Sequence, residues 1–295
     1  MGEIHRADIH VHMGDINHKD GGLKRAWSDS ELNQLMSDCG MIAVAKSHFL
    51  PFVPEASHVL GSVTLNSGFS VEAVYRAAQE TSKSLTVWFP SLNAKAHHDV
   101  VAHDDGWKRL FEGVVMGEPL TVLDKEGVLT SEVKDTIHAI AETNAILATG
   151  HLSATEVIKL IPYAVANGVR SVVLTHVSSR HNRLSTDEQI ALINIGLQHG
   201  SEVWAEHCAV TWFDGLKGAY DLTKHFVEPI QIVGPDHCII SSDCGRVLPS
   251  NSDKPFTPAQ CLDVFTSLLE RSGIEKSSIR QMTNNNPKKL LRLSL

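Results

Sequence analysis

Residues 145–151 read Ala-Ile-Leu-Ala-Thr-Gly-His, and residues 171–176 read Ser-Val-Val-Leu-Thr-His. Each is a short, nearly continuous apolar run that stops at a histidine, the pattern of a strand covered on both faces. Between them, Thr155–Asn167 has apolar residues at helical spacing and ends before Gly168, in the left-handed cap position. The three pieces make a parallel strand–helix–strand unit. The same alternation extends outward from it. Strands are predicted at Ala7–Val11, Ile42–Ala45, Ser62–Leu65, Leu85–Phe89, Glu202–Ala205 and Cys238–Ile240. Helices are predicted at Ser28–Cys39, Ser70–Thr81, Ser131–Thr143, Thr186–His199 and Thr257–Ser272. Ser28 and Glu31 have capping-box spacing, and Gly40, Gly200 and Gly273 stand where helices close. Eight such units predict a (β/α)8 TIM barrel, one domain over residues 1–295. An open doubly wound sheet alternates in the same way, because periodicity does not report closure.

Composition narrows the class. The 26 Lys and Arg against 34 Asp and Glu leave a formal charge of -8, which argues against nucleic acid and anionic membranes as partners. Mean hydropathy is -0.07, and no apolar run reaches the length of a membrane span. The opening MGEIHRADIHVH lacks the apolar core of a signal peptide. The five cysteines are scattered and without CxxC spacing, so a cytoplasmic chain without a disulfide framework is expected. No GxGxxG or GxxxxGK[ST] loop follows a strand, which leaves nucleotide binding without support. The expected partner is a small-molecule substrate. Homo-oligomerisation, common among barrel enzymes, is left open by the sequence.

The chemistry gathers where strands end. In Asp8-Ile9-His10-Val11-His12, alternation places Asp8, His10 and His12 on one face, with Ile9 and Val11 on the other. His151 and His176 end the fifth and sixth strands, and Asp243 ends the eighth. One such histidine is more often a core residue than a ligand. Recurrence at the same end of successive strands favours a shared site, because a barrel brings those ends to one rim. Imidazole with carboxylate suits zinc first, with manganese, iron or nickel as alternatives, in one or two ions.

This order, with HxH on the first strand, His on the fifth and sixth and Asp on the eighth, resembles the amidohydrolase superfamily, including its phosphotriesterase-like and TatD-like branches. The ending IRQMTNNNPKKLL at Ile279–Leu291 resembles that superfamily's closing helix. The resemblance implies that His10 and His12 hold the more buried ion and His151 and His176 the more exposed one. It also implies that Asp243 is both ligand and base for the attacking water. The chain departs from the pattern at the bridging ligand. The fourth strand ends Val87-Trp88-Phe89-Pro90, without the carboxylated lysine or glutamate usual there. Lys46, at the end of the second strand, is the substitute: a lysine in an apolar strand end tends to lose its charge, and carboxylation would make it an anionic bridge. A plain surface lysine is the competing assignment.

The remaining candidates carry less. His48 shares the face of Lys46 and is a candidate ligand or proton donor. Asn66 and Asn93 follow the third and fourth strands and can donate to a substrate carbonyl. Arg180 and Arg246 can fix an anionic group, although a surface ion pair is the commoner role. Glu206 or His207 can touch substrate or support a ligand. His97, His98 and His103, among Asp99, Asp104 and Asp105, fit a solvated loop or lid. The expected activity is metal-dependent hydrolysis of an amide, cyclic amide, lactone or ester of a small molecule. The alternatives are a PHP-type phosphoesterase, a metal-dependent decarboxylase on the same barrel, and a silent metal-binding protein.

Overall fold

The computed structural model describes residues 5–12, 19–20, 23–48, 55–213, 220–246 and 256–293. Among the described residues, eight parallel strands alternate with helices: β1 (Arg6–His12), β2 (Met41–Lys46), β3 in two pieces (Val59–Leu60 and Ser62–Thr64), β4 (Thr86–Trp88), β5 (Ile146–Ala148), β6 (Ser171–Leu174), β7 (Glu202–Cys208) and β8 (Cys238–Ser241). β1 pairs with β2 and β2 with the first piece of β3, while β3 to β8 form a six-stranded run in sequence order. Closure comes just past β8. A parallel bridge joins Val11 to Cys244, where His12 N donates to Cys244 O at 2.7 Å and Asp243 N donates to His10 O at 2.8 Å. The barrel is therefore closed, and its last hydrogen bonds are made by the residues the sequence marked out.

Period-2 alternation sorts the strand residues into two cores. Ala7, Ile9, Ile42, Val44, Trp88, Ile146, Ala148, Val173, Trp204 and Ile239 fill one cluster, plugged by Leu290 and Leu291 at the chain's end. Their neighbours Val87, Leu147, Val172, Leu174, Val203 and Ile240 pack against the helices in the other. β1 breaks the rule. Ile9 joins the inner cluster and Val11 the outer one, so they do not share a face as simple alternation requires. The register against β2 shifts between Asp8 and Val11, a bulge that inserts one extra residue. It turns His10 and His12 inward together and leaves Asp8 beside β8, where it accepts from Ser242 N at 3.0 Å.

The outer helices α1 (Asp29–Asp38), α2 (Val71–Glu80), α5 (Ser131–Glu142), α6 (Ala154–Ala166), α7 (Thr186–Gln198) and a later one, Pro258–Arg271, fall within two residues of the predicted segments. Ser28 with Glu31, Ser153 with Glu156 and Ser185 with Glu188 form complete capping boxes. The stretch after β4 differs from expectation. It forms α3 (Lys95–His103) and α4 (Asp105–Leu110), with a small core of their own at Leu92, Trp107 and Phe111. The five cysteines are free thiols, and among the described residues no helix is long and apolar enough to cross a membrane.

Gly245 holds the closure. Its φ is +110°, and a Cβ there would stand 1.8 Å from His12 O. Gly245→Ala is expected to destabilise the fold by more than the ~1–3 kcal/mol of the backbone conformation alone, because β1 must also move. Urea unfolding monitored by tryptophan fluorescence would read the loss, and an unchanged midpoint would contradict it.

Candidate metal centre

His10 and His12 reach the barrel's C-terminal mouth on β1, and Asp243 meets them from the loop after β8. Asp243 Oδ1 lies 2.8 Å from His12 Nε2 and 3.2 Å from His10 Nε2, and all three residues are buried. Yet Oδ1 accepts no hydrogen bond. His10 Nδ1 donates to Glu206 Oε1 at 3.2 Å, which fixes the tautomer and leaves the Nε2 lone pair facing Asp243. Two imidazole nitrogens and a carboxylate oxygen that converge in a buried site make a donor set for a divalent cation, so these residues fit one. His176 stands beside them, with Nε2 3.7 Å from Asp243 Oδ2 and its ring 5.0 Å from that of His10. His176 and Asp243 both hold left-handed backbone, with φ of 54° and 53°. Non-glycine residues take that conformation at a cost, and here it aims two side chains into one space.

Glu206 lies behind this group. Its carboxylate accepts from His10, from Ser241 Oγ at 2.8 Å and from His176 N at 3.3 Å. Burial alone would raise its pKa, but the adjacent His10 and these hydrogen bonds hold it below the ordinary value. Asp243 is similar: burial opposes ionisation, while His10, Arg246, His176 and Lys46 keep it well below the carboxylate range. Sequence reasoning offered Glu206 as one of several options. Its role is visible only from the partner strands, since β7 runs on to Cys208 and carries the side chain inward.

Lys46 is fully buried, its Nζ 3.3 Å from His10 Nε2 and 4.4 Å from the centre of the Trp88 ring. Burial lowers its pKa to about 8, against the pull of Asp243 and Glu206. His48 Nδ1 meets Ser91 Oγ at 2.8 Å, and its ring lies 4.5 Å from that of His12. Burial, then His12 and Lys46, push its pKa well below normal, so it faces the pocket as a neutral imidazole rather than a stored proton.

Four expected substrate contacts have different placements. Arg246 lines the pocket, with Nη2 3.5 Å from Asp243 Oδ2. Arg180 pairs instead with Asp104 of the α3–α4 segment, outside the pocket. Asn93 is held inside the loop: its Nδ2 donates to Asn66 O and its Oδ1 accepts from Gly117 N, both at 2.7 Å. His207 is buried against Phe226 with Nδ1 on Ser178 Oγ, and it too does not line the pocket.

Three residues were missed or undervalued. Arg25 is buried beside Arg246, to which it is joined by an antiparallel bridge. Burial, then Arg246, lowers its pKa to about 9, while Asp243 raises it. His181 follows β6 at 5% exposure, and His97, expected in a solvated loop, sits fully buried in the first turn of α3. The structure brings His151 together with these two rather than with Asp243. The pocket at this mouth is small, with a cavity volume of ≈ 30 Å³, and is lined by His12, His48, His151, His176 and His181, by Asp243 and Arg246, and by the apolar side chains of Trp107, Phe111, Val210 and Tyr220.

Three comparisons bear on this fold. The family model for DUF6282, a family of unknown function, matches residues 6–198. No curated protein matches the chain. Solved structures similar to it include the phosphotriesterase homology protein of Escherichia coli with phosphate in its active site, at 15% identity and TM-score 0.52, covering 98% of this chain and 99% of that one. An amidohydrolase of Pseudomonas aeruginosa aligns at 14% identity and TM-score 0.50, covering 97% and 96%. A dihydroorotase of Campylobacter jejuni aligns at 10% and 0.50, covering 100% and 85%. At these identities the likeness establishes the fold alone, a barrel of the kind these structures share.

The Lys46 environment sets a pH dependence. The lysine titrates near 8 when folded and near 10.5 when exposed, so between those values the unfolded chain holds the extra proton. Stability of the metal-free protein relative to Lys46→Met should then rise with pH across that window, by about 3 kcal/mol, and be level below pH 8. Urea melts of both proteins from pH 7 to about 10.5 would measure the difference, and a flat difference would contradict it.

Proposed function

The chain belongs to the DUF6282 family, a family of unknown function, and on that premise we propose that it is a metal-dependent hydrolase of a small anionic molecule. The observation that carries this is the convergence of His10 Nε2, His12 Nε2 and Asp243 Oδ1, with Oδ1 left without a hydrogen bond in a buried site. These three residues would hold the ion, with His176 beside them and zinc the metal best suited to the donor set. When bound, such an ion makes water a nucleophile at neutral pH and draws charge from a scissile carbonyl oxygen.

The chain's own groups supply the rest. Asp243 is ionised and lines the pocket, so it can take a proton from the attacking water and return it to the leaving group. Glu206 holds the His10 ring in the tautomer that presents Nε2. Arg246 at the pocket wall, with Arg25 behind it, supplies positive charge for a carboxylate or similar anion on the substrate. The apolar side chains of Trp107, Phe111 and Tyr220 exclude water from the body of the molecule. The bond cleaved in this proposal is an amide, cyclic amide, lactone or ester. Lys46, with its lowered pKa and its Nζ against His10, is the amine placed to be carboxylated and to join the ligands as an anion. Carbon-13 NMR after exchange with labelled bicarbonate would show a carbamate signal absent from Lys46→Met.

Purified zinc-loaded protein is expected to hydrolyse members of a panel of carboxylated lactones and dihydropyrimidines in preference to phosphomonoesters. Asp243→Asn should lower turnover by at least ~100-fold, the scale of a lost general base, with the fold intact by circular dichroism. Full activity in that variant, or a protein that retains no divalent ion, would overturn the proposal. Preferential phosphomonoester cleavage would move the chain to the phosphoesterase alternative.

A further inference from the structure

The opposite end of the barrel carries a larger cavity, ≈ 1050 Å³, between the start of β1, the helix Pro258–Arg271 and the helical stretch 276–290. Five cations line it, Arg6, Lys276, Arg280, Lys288 and Lys289, against one carboxylate, Glu270. In a chain with a formal charge of -8, that balance is a local reversal. We propose that this cavity is a binding site for a sugar phosphate or similar phosphorylated polyol, distinct from the metal centre. It stands apart from the hydrolase assignment: β1 begins in the cavity at Arg6 and ends at His12, about 20 Å away at the strand's rise per residue.

Lys288 is the decisive residue. Three of the cations already have partners: Arg6 pairs with Asp263, Lys276 with Glu270 and Lys289 with Glu202. Among the described residues, Lys288 and Arg280 meet no carboxylate and no other hydrogen-bond acceptor. Lys288 is only 8% exposed and still lines the cavity. Burying a cation without a counter-charge is costly, and a packed lysine keeps its ammonium where an anion can reach it. Arg280 adds a planar fork that takes phosphate oxygens in pairs.

The helical stretch explains why these residues share a wall. Pro287 has no N–H for the α-helical ladder, and the turn before it widens to a π-helix at Gln281–Asn285, where Asn286 N donates to Gln281 O five residues back. Arg280, Asn284 and Lys288 follow at intervals of four along one face, and all three line the cavity. Amide side chains fix the turn. Gln281 Nε2 donates to Asn286 Oδ1 at 2.6 Å, Asn285 Nδ2 donates to Gln281 Oε1 at 2.8 Å, and Asn286 Nδ2 donates to Pro235 O and Cys238 O at 2.7 Å.

Beside the cations the lining offers acceptors. Asn284 Oδ1 is buried without a hydrogen-bond partner. Thr266, Ser267 and Thr283 donate their hydroxyl protons to helix carbonyls at 2.7, 2.7 and 2.8 Å, which leaves each oxygen able only to accept. An anionic head joined to several hydroxyl donors satisfies both sets at once. Among the described residues that line the cavity there is no Phe, Tyr or Trp, so a nucleotide base has no such ring to stack on. An inorganic phosphate alone would leave most of the space and the acceptors to water.

Equilibrium dialysis of the zinc-loaded protein against radiolabelled glucose 6-phosphate, glucose, AMP and inorganic phosphate is the test. Glucose 6-phosphate is expected to bind more tightly than the other three. Lys288→Met and Arg280→Gln should each weaken it by about 10-fold or more, the scale of one charge-assisted hydrogen bond, while Arg246→Gln at the metal mouth leaves it unchanged. Binding lost in Arg246→Gln and kept in the other two variants would send the anion to the mouth and overturn the proposal. AMP or inorganic phosphate binding as tightly as glucose 6-phosphate would also overturn it, as would no binding of any probe. Should Lys288→Met not fold, the exposed Arg280→Gln and crystals soaked in tungstate decide. An anomalous peak beside Lys288 and Arg280 sustains the proposal, and none there overturns it.

Discussion

Two backbone hydrogen bonds govern this molecule: Asp243 N to His10 O and His12 N to Cys244 O. They join the first strand to the chain just beyond the last one and so close the cylinder. The same two bonds place the carboxylate of Asp243 on the imidazoles of β1. Closure and site assembly are thus one event. A chain that failed to close would separate residues more than two hundred positions apart in sequence, and neither half contains the site. The close approach of Gly245 to His12 and the left-handed backbone of Asp243 are the local conditions for that contact.

Charge is the second constraint. Lys46 faces Asp243 and Glu206, and Arg25 and Arg246 face Asp243, where burial penalises every ion. Asp243 stays ionised because His10, Arg246, His176 and Lys46 surround it, and Glu206 because of His10 and its hydrogen bonds, while burial makes the lysine and Arg25 lose proton affinity. Burial also holds His12, His48, His151 and His176 well below the usual imidazole pKa. Neutral imidazoles beside an ionised aspartate are in the protonation states that metal ligation needs.

Much of this was legible because strand ends are simple. His151, His176 and Asp243 follow short apolar runs, and a barrel gathers all such ends at one mouth whatever the details. His10 and His12 were legible in the same way, but the bulge between Asp8 and Val11 was not, since one extra residue in a strand leaves no mark on hydrophobic alternation. His97 was obscured differently. Its neighbours His98, Asp99 and Asp104 are polar, and only the turn of α3 directs this one ring inward while its neighbours face out. Asn93 and Arg180 erred in the other direction: their positions in sequence suited a substrate role, yet nearby loop groups already hold their polar atoms.

By itself the sequence determined the number and order of strands, the caps of the helices and the set of polar residues delivered to one rim. Those depend on local periodicity and on the chemistry of single side chains. The tertiary structure alone decided which nitrogen faces which oxygen, that Glu206 orients His10, and that His151 joins His97 and His181 instead of Asp243. These depend on separations of a few ångströms between segments distant along the chain, and no local pattern encodes such distances.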